Sequence, residues 1–287
     1  MKWLRLNPEI PDGHRKVELP LALKQIIAFT KRDFFSWTTY KTTMVTQLIN
    51  ILIGVFSWGV AASYVQRPVT EMYNSDYITF LVAGIAISNL VMPIVQGVQR
   101  QLNPWTLETV MMTGISMPVF VIGNITWTYI LSVLTFVPYL LIGTKVFGAS
   151  LDVNISSAIA AFVISGAILM GLALISTGIR IVTKSTDPVT WAINVLQNLF
   201  AGISFPVVYL DTIFFPGVST ISWFLPQTWV YHLARLAMLT NASLSDPKVL
   251  FEFMKGSVFV VIFLPLGYKI LQWGVGKSKR EGTLGWY

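Results

Sequence analysis

Charged side chains are sparse along this chain, and the stretches without them set its pattern. Six windows free of Asp, Glu, Lys and Arg run over 42–66, 77–99, 109–144, 153–179, 188–210 and 212–234. A seventh apolar stretch, 256–276, carries only Lys269, placed where its long stem can snorkel to an interface. A membrane-spanning helix needs about 20 apolar residues, so each window is a candidate. Window 109–144 has 36 residues, too many for one span and too few for two with a turn. Its first part, TVMMTGISMP, reads as an interfacial segment leading into a span from about Pro118 to Thr144. Window 212–234 holds Pro216, Gly217 and Pro226. Proline inside a helix costs about 3 kcal/mol, and spanning helices accept it only where neighbours satisfy the freed carbonyls. Two short broken helices dipping into the membrane fit this window better than one span.

The pattern predicts an all-α polytopic membrane protein with six transmembrane helices and a re-entrant broken segment, about 211–240, before the last span. Composition agrees: 54% of the 287 residues are hydrophobic and 11% charged, with a mean hydropathy of +0.65, against about a quarter charged in a soluble domain. The absence of cysteine excludes disulfides and thiolate metal sites. A net charge of +7 raises nucleic acid as a partner, but its distribution argues for membrane topology instead. Eight of the 20 Lys and Arg fall in residues 1–41, and Lys277, Lys279 and Arg280 cluster near the end. With six spans and a cytoplasmic N-terminus, fifteen basic residues lie inside, against Arg67, Lys145, Arg235, Lys248 and Lys255 outside. Both termini are then cytoplasmic. The expected units are a cytoplasmic N-terminus over 1–41, a six-span domain over 42–276 and a basic tail over 277–287. The N-terminus has no cleavable signal pattern. Instead PLALKQIIAFTKRDFFSW places Leu23, Ile26, Ile27, Phe34 and Trp37 on one helical face, which reads as an amphipathic helix in the cytoplasmic interface.

Candidate chemistry is thin. GVGKS, over 274–278, ends like a phosphate-binding loop, but Leu271 stands where the first glycine belongs. A long apolar run precedes it where a strand–loop–helix is needed. His14 and His232 are the only histidines and have no carboxylate cluster beside them in sequence, so no metal site is expected. Glu108, Asp152, Asp187 and Asp211 all fall at window edges, whereas an ion-driven carrier usually holds ionisable groups inside the membrane. No nucleophile with a base and an orienting group is evident. If this chain moves something uphill, the energy comes from another chain.

Two stretches point to that chain. The loop after the second span reads RQLNPWTLETVMMTGISMP, and the segment after the fifth reads GISFPVVYLDTIFFPGVSTISWFLPQTWVYHLAR. Together they resemble the membrane subunit of type-2 ABC exporters, the family of drug, polysaccharide and lipid export permeases. Its inner loop runs as glycine-Thr-Leu-Glu, a few apolar residues, then Thr-Pro-Ile-Ser. Thr106, Leu107, Glu108, Thr113, Ile115 and Ser116 match, while Trp105 replaces the glycine and Gly114 the proline. The later signature is a glycine, Phe-Pro, a Leu-Pro pair, and Leu-Pro-x-Thr followed by arginine. Gly202, Phe205, Pro206, Leu225, Pro226, Thr228 and Arg235 match, while Leu210–Asp211 departs from the first Leu-Pro. The resemblance covers nearly the whole chain.

The resemblance implies a permease without catalytic residues of its own, no cofactor in this chain, and ATP with magnesium on a separate P-loop ATPase subunit. It implies a second permease chain, the same or homologous, and residence in the cell membrane. Trp105, Thr106, Leu107, Glu108 and Thr113 would form the coupling helix seated on the ATPase, with Glu108 as its charged handle. Phe205, Pro206, Phe214, Phe215, Trp223, Phe224, Pro226 and Trp229 would wall an outer gate. Phe56, Trp58, Asn89, Asn194, Gln197 and Asn198 are candidate pathway residues, since polar side chains in a span face a partner helix or a cavity. A passive channel or scaffold without an ATPase partner, and a membrane-embedded enzyme, are the competing readings. The coupling loop argues against the first, and the lack of a catalytic constellation against the second.

Overall fold

The computed structural model describes residues 19–63, 68–69, 73, 75–101, 112–183 and 188–282. They are mostly helical. Helix α1 covers Leu19–Thr39 and α2 Lys41–Ser63. A two-residue antiparallel ladder, β1 Pro68–Val69 with β2 Ser75–Asp76, leads into α3, Tyr77–Gln101. Then come α4 Met117–Lys145, α5 Ile155–Thr183 and α6 Pro188–Phe200. A 3-10 turn at Val207–Tyr209 precedes two short helices, α7 Leu210–Ile213 and α8 Val218–Ser222. The last two helices are α9, Pro226–Leu239, and α10, Pro247–Arg280.

Among the described residues α4, α5 and α10 are long and apolar enough to cross a membrane. This is the architecture of an all-α membrane protein. Their ends carry the expected local chemistry. Pro118 sits in the first turn of α4, and the Asp246 carboxylate accepts from the Lys248 amide at 2.9 Å to cap α10. Lys277, Lys279 and Arg280 occupy the last turn of α10, where the helix dipole favours cations. The residues expected as a basic tail from 277 are thus helical up to Arg280.

Helix α5 is central and packs against α3, α9 and α10. Its contact with α10 is made by backbone. A methyl group on Gly171 would lie 2.6 Å from the Phe263 carbonyl, and one on Gly178 would lie 2.7 Å from the Ile270 carbonyl. Reciprocally, Gly267 sits on the Gly171 carbonyl and Gly274 on that of Gly178. The pairs recur every seven residues on each helix, the period that keeps one stripe on a partner. The GVGKS stretch therefore belongs to a helix. Gly274 is there for close packing, and the buried Ser278 hydroxyl donates to the Ile181 carbonyl at 3.3 Å.

Helix α1 lies along the first turns of α4. Phe29 meets Phe120 edge to face at 5.7 Å, Phe34 and Trp37 meet Trp127, and Arg32 donates to the Asn124 side chain at 2.8 Å. Phe29 and Asp33 are the buried positions, with Asp33 paired to Arg32. Leu23 and Ile27, from the apolar face expected to lie in the interface, point away from the protein and remain exposed. Only the second half of that face, Phe34 and Trp37, meets protein, together with the adjacent Phe29 and Asp33.

The connections expected outside gather at one end. The Ser150 amide donates to the Thr79 hydroxyl at 2.9 Å, and the Asn154 amide donates to the Ala237 carbonyl at 3.0 Å. Ser157 donates to the Ala242 carbonyl.

Window 188–210 departs from expectation. The helix in it has 13 residues, about 20 Å at 1.5 Å per residue, and stops at Phe200. That is shorter than a hydrocarbon core of about 30 Å. Window 212–234 is divided among α7, α8 and α9, with breaks at 214–217 and 223–225.

Candidate functional site

The end of α6 is set by a residue far along the chain. Gly202 has φ 74°, a left-handed conformation that stops the helix. Arg235, from α9, donates from Nη1 to the Gly202 carbonyl at 2.5 Å and from Nη2 to the Ile203 carbonyl at 2.6 Å. Its guanidinium lies 3.6 Å from the centroid of the Phe80 ring. A planar fork that meets two carbonyls while stacking on a ring is what arginine offers and lysine does not. Arg235 is only 2% exposed and belongs to α9, so it is a buried helix residue and not a loop charge. Gly84 on α3 makes room for it, because a methyl group there would collide with Arg235 and the Ile203 carbonyl.

One turn earlier on α9 sits His232, 6% exposed. The Tyr73 hydroxyl lies 2.8 Å from its Nδ1, and Glu252 of α10 lies 3.7 Å from its Nε2. Burial pushes the Tyr73 hydroxyl up to about 12, so it stays protonated. In the tautomer with hydrogen on Nε2, the hydroxyl donates to Nδ1 and the Nε2 hydrogen faces the Glu252 carboxylate. Trp223 and Trp229 enclose the imidazole, with ring centroids at 5.1 and 5.8 Å. Tyr73, Pro206, Trp223, Thr228, His232 and Arg235 all border one cavity of about 10 Å³, the size that holds a single water. Three separate segments, 73, 232 and 252, thus meet at a polar centre. A sequence window could not join them, and no motif marks the set.

Asp211 holds the turn between α7 and α8. Its carboxylate accepts from the Ser219 hydroxyl at 2.5 Å and from the Ser219 and Gly217 amides at 2.8 and 3.1 Å. The bonds from Ser219 and then Gly217 hold the carboxyl below its ordinary value. Gly217 has φ 98°, so the break here rests on glycine and Asp211 as much as on Pro216.

The expected gate residues divide into two groups. Pro206 and Trp229 are buried and Trp223 half-buried around His232, with the Trp229 indole donating to the Trp223 carbonyl at 2.8 Å, and Pro226 is buried at the start of α9. Phe205 packs against the small core of Val207, Leu210 and Val218. Phe214, Phe215 and Phe224 are exposed, Phe224 at 75%, with Phe214 touching Phe200 at 5.9 Å between ring centroids. The expected pathway residues do not line one chamber either. Phe56 is exposed and meets Phe147 edge to face at 5.8 Å. Trp58 falls in α2 with its side chain outside the described set. Asn89 donates to the Ile85 carbonyl at 2.8 Å, and the exposed Asn198 to that of Asn194 at 2.8 Å. Gln197 is fully buried with neither amide atom paired, and Asn194 Oδ1 is unpaired too. Among the described residues of the pathway set, these two have buried amide atoms without a partner.

Trp105, Thr106, Leu107 and Glu108 lie outside the described residues. Thr113 sits in the turn at 112–114, directly before Gly114 with φ 73°. Proline cannot take that conformation, which accounts for glycine where the resembling family has proline. No family model matches this chain, and no curated protein matches it.

Proposed function

We propose that this chain is the permease subunit of an ATP-driven exporter of the type-2 ABC kind. It works with a second permease chain, the same or homologous, and is powered by separate P-loop ATPase subunits that bind ATP and magnesium. Its cargo is amphipathic, lipid-like, drug-like or a glycan, and it resides in the cell membrane with both termini cytoplasmic. The observation that carries this reading is the convergence of the second signature. Gly202, Pro206, Thr228 and Arg235, spread over 34 residues, form a single knot. Arg235 binds the Gly202 carbonyl, Thr228 donates to the Ser222 carbonyl at 2.7 Å, and Pro226 opens α9. A second support is the seating of α1 on α4, which joins an interfacial helix to the helix that follows the coupling loop.

The test is affinity purification of the full chain from its native membrane, followed by identification of partners and assay of ATP turnover. Co-purification of a P-loop ATPase, lost on Leu107→Asp and uncoupled from export by Glu108→Ala, is the expected result. A chain that purifies without an ATPase, and conducts or scaffolds without ATP, would overturn the proposal.

A further inference from the structure

A cavity of about 360 Å³ lies between α3, α4, α5 and α9, within the range of about 300–1,000 Å³ usual for small-molecule sites. Ile87 and Leu90 of α3, Phe136 of α4 and Val230 of α9 form part of its wall. At its rim Val133 of α4 and Ile155 and Ile159 of α5 are exposed. The surrounding faces of α4 and α5 are apolar and exposed as well, with Leu134, Val137 and Val163 outward. In an all-α membrane protein, exposed faces of this kind meet lipid. The opening is therefore to the bilayer and not to water.

One lining atom does not fit an apolar function. Ser165 is 3% exposed, borders the cavity, and its hydroxyl has no hydrogen-bond partner. Hydroxyls inside helices of this chain normally return to the carbonyl four residues back, as Ser132 does at 2.8 Å and Thr177 at 2.7 Å. Ser165 makes no such bond. A buried unpaired hydroxyl beside an accessible apolar space marks a place for a ligand oxygen. Ser165 is also the only polar side chain in the lining, so a charged or many-oxygen molecule would leave its other groups unsatisfied. Ten residues separate Ile155 at the rim from Ser165, about 15 Å along α5. The space suits an elongated apolar body with one oxygen at an end.

We infer that this cavity binds one uncharged aliphatic lipophile from the membrane, a long chain bearing a single terminal hydroxyl that pairs with Ser165. The inference stands on the cavity alone and is independent of the export proposal.

The test uses the full chain in lipid nanodiscs, with a diazirine-bearing hexadecanol as the probe and the matching alkane without oxygen as its control. The expected result is saturable labelling of peptides from 130–136 and 155–165, competed by unlabelled hexadecanol. Ala158→Trp should remove this labelling while leaving that of Val261 and Ile262, which face outward on α10, unchanged. Ser165→Ala keeps the cavity and should weaken competition by hexadecanol roughly three- to tenfold, to the level of the alkane. Labelling that does not saturate, or that falls equally on Val261 and Ile262, would overturn the site. Full retention of the preference for the alcohol in Ser165→Ala would overturn the assigned chemistry, even where Ala158→Trp fails to fold.

Discussion

Gly274 of α10 rests directly on the backbone carbonyl of Gly178 of α5, with no space for a methyl group between them. In lipid, where side-chain hydrophobicity gives helices no reason to associate, such close approach supplies dispersion contact that larger residues would forfeit. Gly274→Val should force the two helices apart. Overpacking of this kind typically costs about 1–3 kcal/mol, and here we expect a lower melting temperature and reduced yield in detergent. Gly276→Ala, where nothing lies within 4 Å of the added methyl, should leave both unchanged. Equal behaviour of the two variants would remove the seam from the account of this fold.

Arg235 yields a sharper prediction because a lysine keeps the charge. Arg235→Lys supplies one ammonium in place of a fork that reaches both the Gly202 and Ile203 carbonyls and stacks on Phe80. We expect it to destabilise by about 1–3 kcal/mol, as buried polar groups left unpaired do. Limited proteolysis should then cut within 200–225. Gly84→Ala, which crowds the same guanidinium, should reproduce the cleavage pattern, and an intact segment in both variants would refute the latch.

The turn held by Asp211 should respond to pH. Its carboxyl is held below the ordinary value in the folded chain, so the stabilisation is present above the usual carboxylate range and is lost as pH falls through the folded value. Amide exchange of Gly217 and Ser219 should therefore accelerate as pH falls below the ordinary carboxylate range, once corrected for the intrinsic rate. Asp211→Ala should show that loose state at neutral pH. Protection insensitive to both would mean that Pro216 and Gly217 alone hold the turn.

The double replacement of Pro216 and Pro226 by alanine tests whether this segment can be straightened into one span. Gly217 at φ 98° and the Asp211 bonds oppose a continuous helix even without Pro216. Pro216→Ala should thus be mild, Pro226→Ala harsher because it opens α9 under Trp229, and the pair low in yield and export. Phe205→Ala and Trp223→Ala should preserve yield and alter export rate or cargo preference. Normal export by the double mutant would show the segment to be a tolerant loop.

Sidedness is testable with introduced cysteines and an impermeant maleimide on intact cells. Ser150 and Ser245 are exposed and their cysteine variants should react from outside. Ser278 would be a poor inner reporter because it is buried against Ile181, and silence there would follow from packing alone. Lys279→Cys is exposed on the same turn and should stay unlabelled until the cells are broken. Labelling before lysis would place the tail outside.

Local signals and long-range ones differed in how far they could be read. The bounds of α4 and α5 were legible because Pro118, Lys145 and Asp152 mark them within a few residues. Helix α10, by contrast, begins at Pro247, well before the expected stretch 256–276, because Lys248, Glu252 and Lys255 break the apolar run but not the helix. The division of 212–234 was legible from its prolines. The early end of α6 was missed because hydropathy stays high from Phe200 to Leu210, although Gly202 and Pro206 are local stop signals. Gly202 ends that helix in the left-handed conformation, and the side chain that holds its carbonyl, Arg235, lies 33 residues away. The meeting of Tyr73, His232 and Glu252 was hidden for the same reason. Conversely, Phe214, Phe215 and Phe224 showed aromatic character that could be read, but composition does not say which way a side chain faces.

The setting of Arg235 also has an electrical consequence. Among the described residues its guanidinium is met by carbonyls and rings and pairs with no carboxylate, so the knot carries a whole positive charge. A charge moved across the full membrane potential changes energy by about 2.3 kcal/mol per 100 mV. Any shift of α9 along the membrane normal would carry Arg235 through part of that field. The position of the knot would then depend on voltage, with the potential favouring the negative side of the membrane.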